Sequence, residues 1–166
     1  MARETTPVER PLRVRPGARM AVVVSEFHVE VTGAMLESAR RELAAAGLGP
    51  DDLEVVRVPG AFELPLVARR LARRPDVDAV LCFALVLKGE TTHDHWVAHA
   101  ATEGLMRVAL ETDTPVLFGV LTCATIEQAR ARALPVDEGG LDKGREVARA
   151  ALGVLNALAA AEEVRS

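Results

Sequence analysis

VDAVLCFALVL, at residues 77–87, is an apolar run in which β-branched and aliphatic side chains do not alternate with polar ones. Strands without such alternation are buried on both faces, as in a parallel sheet. Three further runs have the same mostly continuous character: MAVVV (20–24), LEVVRV (53–58) and TPVLFGVLT (114–122). We therefore expect four buried, parallel strands.

Helical patterns separate these strands. Apolar residues recur at helical spacing over residues 31–46, 64–71 and 97–108. TIEQARARA (125–133) and KGREVARAALGVLNALAAAEE (143–163) predict a short fourth helix and a long fifth one. The order β-α-β-α-β-α-β-α-α, with right-handed crossovers, predicts a three-layer α-β-α domain around a four-stranded parallel sheet.

The length and the N-terminal composition indicate one domain with an extension. A chain of 166 residues is long enough to bury a substantial core. Residues 1–18 are polar and contain Pro7, Pro11, Pro16 and Gly17, which predicts an N-terminal arm outside the core and a domain over residues 19–166. The arm carries several arginines but no apolar segment of the kind that a secretory signal needs.

Composition excludes several classes of function. The net charge is −4, and no basic stripe with interleaved aromatic residues is present, which argues against nucleic-acid and membrane surfaces. No apolar run approaches the ~18 residues of a membrane span. Cys82 and Cys123 lie in apolar runs, which is typical of reduced, packed thiols. We expect a cytoplasmic protein.

Aromatic residues are rare and are placed at particular positions. Phe27, Phe62 and Trp96 each follow one of the first three predicted strands, whereas Phe83 and Phe118 lie within strands. Ligands of parallel sheets bind outside the carboxyl ends of the strands. The rings at strand ends therefore favour a planar ligand, and the alternative is that they only cover the edge of the sheet.

The first two strand ends carry candidate binding residues. Phe27 is either a stacking platform or a hydrophobic staple at a helix entry. In RVPGAFELP (57–65), Pro59 and Gly60 permit a tight turn, and the small Ala61 lets a ligand approach the backbone. Glu63 is either a first-turn acid favoured by the helix dipole or an acceptor for the hydroxyls of a polyol.

The third strand end, LKGETTHDHW (87–96), gathers reactive groups. With Thr91 as N-cap and Asp94 in the first turn, free backbone N–H groups and threonine hydroxyls form an anion site suited to phosphate. Glu90 would repel that anion unless its side chain points away. His93, in the first turn, has the chemistry of a proton acceptor and donor. The alternative is a surface histidine.

The sequence contains further cationic and metal-binding candidates. His95 and His99 have the spacing of zinc ligands on one helix face, but Trp96 stands where a metalloprotease glutamate would follow, and no third ligand is indicated. Arg132 has the geometry to bind a phosphate, although most of the 18 arginines must be solvated. Lys143, at a helix start, is electrostatically unfavourable there, which favours a functional role.

The motifs VPGAFELP, LVLKGETTHDHW, PVLFGVLTCATIEQARARA and DKG together resemble the lumazine synthase family, from about Ala21 to Leu158. The resemblance implies a flavodoxin-like fold. It also implies condensation of 5-amino-6-(D-ribitylamino)uracil with 3,4-dihydroxy-2-butanone 4-phosphate, without metal or organic cofactor. The products are 6,7-dimethyl-8-ribityllumazine, phosphate and water, in the penultimate step of riboflavin biosynthesis.

The resemblance also implies residue roles. It makes His93 the proton-transfer residue, and it assigns substrate binding to a larger set: Phe27, Ala61, Phe62, Glu63, Leu85, Val86, Leu87, Glu90, Thr91, Phe118, Arg132 and Lys143. Within that set Phe118 comes from a neighbouring subunit, and Glu90, Thr91 and Arg132 serve the phosphate. His28, Ala84 and His95 depart from common family residues.

Assembly and partners follow from the same resemblance. It implies a pentamer or decamer in preference to a sixty-subunit shell, since ALPVDEGGLD (133–142) is longer than the capsid-forming pattern. It further implies an N-terminal arm against the adjacent subunit and riboflavin synthase as a partner. Two alternatives remain: a non-catalytic lumazine or flavin binder, and a metal-dependent hydrolase that uses His95 and His99.

Overall fold

The computed structural model describes residues 12–163. One all-parallel sheet contains four strands in the order β2-β1-β3-β4: β1 (Met20–Ser25), β2 (Leu53–Val58), β3 (Ala79–Leu87) and β4 (Val116–Cys123). The helices of the described residues are α1 (Val29–Ala45), α2 (Leu64–Ala72), α3 (His93–Thr112), α4 (Ile126–Ala133) and α5 (Lys143–Glu163). The predicted parallel sheet and element order are confirmed, but the edge strands β2 and β4 are only partly buried, where four buried strands were expected.

The sheet is the middle layer between two groups of helices. Alternate residues of β1 and β3, such as Val22 and Phe83, face a core formed with α1, α4 and α5. The residues between them, such as Val23 and Cys82, face a second core formed with α2 and α3. Both faces of the central strands are therefore buried, which explains the missing alternation in their sequences.

Phe83 is the one aromatic ring that the core buries completely. Its register partner on β4 is Gly119. A Cβ atom at Gly119 would lie 2.5 Å from the Phe83 ring, so only glycine leaves room for this ring beside β4. Burial of a ring of this size stabilises the fold by about 1.5–3 kcal/mol.

Helices α1 and α5 are joined by close backbone packing and by charge. A Cβ atom at Gly144 would lie 2.2 Å from the carbonyl oxygen of Met35, so a glycine lets the start of α5 approach α1. The carboxylate of Glu42 accepts hydrogen bonds from Arg145 at 2.9 Å and from Arg149 at 2.8 Å. Burial raises the pKa of the Glu42 carboxyl. The hydrogen bonds and charges of the two guanidinium groups lower this pKa by more, so it lies below its ordinary value.

The N-terminal segment contacts the domain before residue 19. Residues 1–11, the larger part of the predicted arm, lie outside the described residues, so the predicted contact of the arm with a neighbour does too. Val14 donates its N–H to the Ala46 carbonyl at 3.0 Å, and Leu12 is partly buried against the same core. Asp78 accepts hydrogen bonds from Arg15 and from the Arg19 N–H. Asp78 thus contacts the N-terminal segment, and β3 begins at Ala79 and not at residue 77, where the apolar run begins.

Two expectations from composition concern thiols and membrane spans. Cys82 and Cys123 are both free and buried, as predicted, and burial raises the pKa of the Cys82 thiol. Over residues 12–163, no helix combines the length and the apolar character that crossing a bilayer requires.

Candidate functional site

A cavity of about 640 Å³ opens where β1, β2 and β3 end. This is the edge at which a parallel sheet binds ligands. Its walls come from the turn after β1, the turn after β2, the end of β3 and the start of α3. The lining residues are Phe27, His28, Gly60, Ala61, Phe62, Glu63, Leu85, Val86, Leu87, Gly89, Thr91, His93, Asp94, Trp96 and Val97.

The turn after β1 is held against the turn after β2 by backbone hydrogen bonds. The Glu26 N–H donates to the Val58 carbonyl at 2.8 Å, and the Phe27 N–H donates to Pro59 at 3.2 Å. These bonds fix the backbone of Phe27, yet its side chain is 64% exposed. A hydrophobic staple would bury this ring, so the exposure favours the stacking platform. His28 follows with a left-handed φ of 57°, which is uncommon outside glycine and is often found at functional turns.

Gly60 is the point at which Phe27 and Glu63 meet. A Cβ atom at Gly60 would lie 3.1 Å from two carbons of the Phe27 ring and 3.2 Å from Glu63 Oε2. The same Oε2 accepts the Gly60 N–H at 2.9 Å. Glu63 immediately precedes α2 and is exposed, so its carboxylate is oriented by a backbone donor at the cavity wall.

The start of α3 differs by one residue from the expectation. The N-cap is Thr92, not Thr91, and its side chain makes no capping hydrogen bond. Thr91 precedes this N-cap by one residue. Its Oγ1 accepts the His93 N–H at 3.3 Å. Asp94 is in the first turn, as predicted, and Asp94 Oδ1 accepts the Gly89 N–H at 3.4 Å. The site thus combines a helix N-terminus, the Thr91 hydroxyl and a histidine.

Four of the predicted site residues do not line this cavity: Glu90, Phe118, Arg132 and Lys143. Glu90 is exposed between two lining residues. Arg132 donates from Nη1 to the carbonyl of Gln128 at 3.0 Å, and Lys143 forms an ion pair with Glu146. These two cations therefore have partners in their own helices.

Phe118 is separated from the cavity along β4. It pairs with Cys82, three positions before Leu85, the first residue of β3 that lines the cavity. Three residues of a strand span ~10 Å. The Phe118 side chain is nevertheless 45% exposed on β4, which is an edge strand of the sheet.

Six of the lining residues are outside the predicted set of substrate-binding residues, although Trp96 is one of the strand-end rings that favoured a planar ligand; the six are His28, Gly60, Gly89, Asp94, Trp96 and Val97. A signal was present for the last two. Residues three and four positions apart share a helix face, so Trp96 and Val97 lie beside His93 on α3. Gly60 was predicted to permit a tight turn, but the closeness of Gly60 and Gly89 to one cavity depends on the sheet order.

His95 and His99 are arranged as neighbouring rings. Their centroids are 6.1 Å apart and the rings are nearly parallel, at 9°. His99 Nε2 lies 3.6 Å from Glu103 Oε2. Over residues 12–163, no three side chains among His, Cys, Asp and Glu are grouped as a metal ion would need, so no third ligand joins this pair there.

The all-parallel three-layer fold, with a polar and aromatic cavity at the carboxyl edge of its sheet, defines an α/β protein that binds a small molecule. The model of the 6,7-dimethyl-8-ribityllumazine synthase family matches residues 17–159. The chain belongs to this family, which makes it an enzyme.

Three relatives carry the name 6,7-dimethyl-8-ribityllumazine synthase. The protein of Thermus thermophilus is 48% identical over 123 residues, covering 74% of this chain and 78% of the relative. That of Stenotrophomonas maltophilia is 43% identical over 152 residues, with 90% and 95% covered. One of Caulobacter vibrioides, numbered 1 in its name, is 45% identical over 140 residues, with 84% and 90% covered.

Proposed function

We propose that this chain condenses 5-amino-6-(D-ribitylamino)uracil with 3,4-dihydroxy-2-butanone 4-phosphate to form 6,7-dimethyl-8-ribityllumazine, phosphate and water. The family name describes synthesis of this lumazine. The observation that carries the proposal is the composition of one cavity. Exposed aromatic rings, the Glu63 carboxylate, Thr91 and His93 all line it, so it offers a ring surface, a polyol acceptor and a proton carrier together.

The pyrimidine and its ribityl chain are assigned to the walls formed by β1, β2 and β3. Phe27 stacks on the ring, because its side chain is exposed while its backbone is fixed. Ala61 and Phe62 contact the ring edge, and Glu63 accepts hydrogen bonds from ribityl hydroxyls. Backbone groups of residues 85–87 complete this part of the site.

The phosphate substrate is assigned to the start of α3. A helix N-terminus stabilises an anion through its unpaired N–H groups and its dipole. The N–H groups of Glu90 and Thr91 bind the phosphate in this assignment, and the guanidinium of Arg132 supplies the counter-charge. The reaction requires the Glu90 carboxylate to point away from the anion.

His93 moves protons in the proposed reaction. Attack of the pyrimidine amine on the ketone requires a proton to leave the nitrogen and a water molecule to leave the carbon. Phosphate departure and ring closure require further proton transfers. A single imidazole beside the phosphate is suited to these steps, because it accepts a proton in one and donates it in the next.

A second copy of the chain completes the site in this proposal. Phe118 is ~10 Å along the sheet from Leu85, the first β3 residue that lines the cavity of its own chain, yet it is exposed on an edge strand that a neighbour could contact. Lys143 is assigned to the ribityl chain in the same assembly. We propose a cytoplasmic homopentamer or a face-to-face decamer, with riboflavin synthase as the protein that receives the product.

The test is to incubate the purified protein with both substrates, with and without a chelator, and to follow lumazine fluorescence. Product formation that the chelator does not change supports the proposed reaction and contradicts a metal-dependent hydrolase. No product, together with tight binding of added lumazine, would contradict the proposal and favour a non-catalytic binder.

A further inference from the structure

Trp96 lines the cavity, and the reaction described above gives it no role. It lies three residues after His93 in α3, so both side chains are on the same helix face, and both line the cavity. The indole is 62% exposed. Exposure of so large an apolar ring is unfavourable unless a ligand or another surface covers it.

Two imidazole rings hold the indole in position. The His95 ring is 5.2 Å from it at an interplanar angle of 75°, and the His99 ring is 6.4 Å from it at 83°. Both are edge-to-face arrangements, which are favourable for aromatic pairs. Since these contacts restrict the indole before any ligand arrives, binding to it costs less conformational entropy than binding to an unrestrained side chain.

The location of exposed rings indicates the class of ligand. The chain has five Phe, Tyr and Trp residues in all. Phe27, Phe62 and Trp96 are each more than 60% exposed, and all three line this cavity. Three exposed rings in one concave site are suited to a planar heteroaromatic ligand, because such a ligand offers faces and edges to several rings at once.

We propose that Trp96 is a binding residue for the ring-bearing ligands, the pyrimidine substrate and the bicyclic product, and not for the butanone phosphate. The inference rests on the proposed function for the identity of these ligands. It makes α3 contribute to both halves of the site: the helix start binds the anion, and the indole one turn further contacts the ring. Affinity for the ring and affinity for the phosphate are then separable by mutation.

The experiment uses Trp96 as its own reporter, because it is the only tryptophan of the chain. The full-length protein is titrated with the lumazine product while tryptophan emission is recorded, with correction for absorption by the ligand. We expect saturable quenching. Trp96→Ala has no tryptophan, so lumazine binding to this variant is followed by the emission of the ligand itself. Its Kd for lumazine and its KM for the pyrimidine should rise about 2- to 12-fold, the range of an aromatic pair contact. The KM for the butanone phosphate should stay within about twofold of wild type.

Trp96→Phe is the matched control, and it should retain most of the affinity because it keeps a ring at the same position. The thermal transition and the native mass of each variant are measured alongside. If wild type forms product but Trp96→Ala binds lumazine as tightly as wild type, the inference is wrong and the proposed function stands. A Trp96→Ala protein whose native mass falls would also contradict it, by showing a subunit contact. If wild type forms no product, the proposed function is wrong. Saturable quenching of Trp96 by lumazine would still support the contact between Trp96 and the ring.

Discussion

At the scale of single residues, substitution of Gly60 tests whether the positions of Phe27 and Glu63 determine pyrimidine binding. The φ of −146° at Gly60 is extended backbone that any residue adopts, so an alanine is strained only by its side chain. The new methyl group would meet the Phe27 ring and the Glu63 carboxylate. We expect Gly60→Ala to raise the KM for the pyrimidine about 3- to 30-fold by displacing them, as steady-state kinetics would measure.

Gly33→Ala is the matched control for this substitution. Gly33 lies within α1, and a Cβ atom there would have no neighbour within 4 Å. This variant should keep wild-type kinetics and gain up to about 1 kcal/mol of stability, because alanine favours helix. Normal kinetics in Gly60→Ala would show that Phe27 and Glu63 adjust freely or do not bind the pyrimidine.

His93 has the clearest chemical role at this scale. We expect His93→Ala to slow turnover about 10- to 10⁴-fold while pyrimidine affinity stays close to wild type, because proton transfer is its main task. Single-turnover rates and equilibrium titration separate the two effects. Arg107→Gln, at an exposed position of the same helix outside the cavity lining, is the control and should be nearly neutral. Unchanged turnover in His93→Ala would contradict the role.

Local sequence predicts some site residues better than others. Phe27, Glu63 and His93 each lie in the segment that follows one of the first three strands, and the parallel arrangement then brings the three strand ends to one edge. The N-cap of α3 was misplaced by one residue, because Thr91 and Thr92 have the same capping chemistry and only the hydrogen bond of Thr91 distinguishes them. The left-handed conformation of His28 had no sequence signal, since histidine adopts it only where the surroundings require it.

At the scale of elements, the contact of α1 with α5 depends on an ionised Glu42. Its pKa is lowered in the folded protein, so its contribution to stability is present above the ordinary carboxyl value of 4.5 and is lost as pH falls through the folded-state value. We expect Glu42→Gln to destabilise the protein by about 1–2 kcal/mol near neutral pH. Denaturant unfolding should show this difference shrinking as the pH is lowered below 4.5.

Glu30→Gln provides a comparison on the surface. Glu30 pairs with Arg130, which lowers its pKa, but both side chains are well exposed. This variant should change the free energy of unfolding very little, because exposed ion pairs contribute little. An equal loss at pH 7 and well below pH 4.5 in Glu42→Gln would show that packing and not charge accounts for its effect.

The elements were predicted well from the sequence, and the contacts between them were not. The four strands are mostly continuous apolar runs, and the helices have apolar stripes, so local patterns are sufficient for both. The hydrogen bond between Ser38 and Asp142 joins positions more than a hundred residues apart. The need for glycine at position 144 depends on the nearby carbonyl of Met35. Such requirements arise only when two elements approach, and neither segment shows them alone.

At the scale of the whole molecule, the segment between α4 and α5 is a compact turn. Gly140 donates its N–H to the Pro135 carbonyl at 2.9 Å, and Leu141 donates to Ala131 at 2.9 Å. Acidic residues and the exposed Val136 and Leu141 add volume there. Symmetry repeats any unfavourable contact around a ring, so we expect this turn to disfavour a closed shell.

Light scattering should therefore give about 90 kDa for five copies of a 17.7 kDa chain, or about twice that for a decamer. A mass near a megadalton would contradict the argument from the α4–α5 turn. A monomer at micromolar concentration would contradict a shared site.

The most direct test of a site built from two copies is complementation between inactive variants. His93→Ala and Phe118→Ala are each expected to be slow, the first in chemistry and the second in substrate binding. If the two chains are co-expressed, random mixing gives about a quarter of the sites an intact His93 and an intact neighbouring Phe118. We predict that lumazine formation recovers towards about a quarter of the wild-type rate in the mixed assemblies. A rate equal to the mean of the two separate variants, in assemblies that native mass measurement shows to be mixed, would contradict the account.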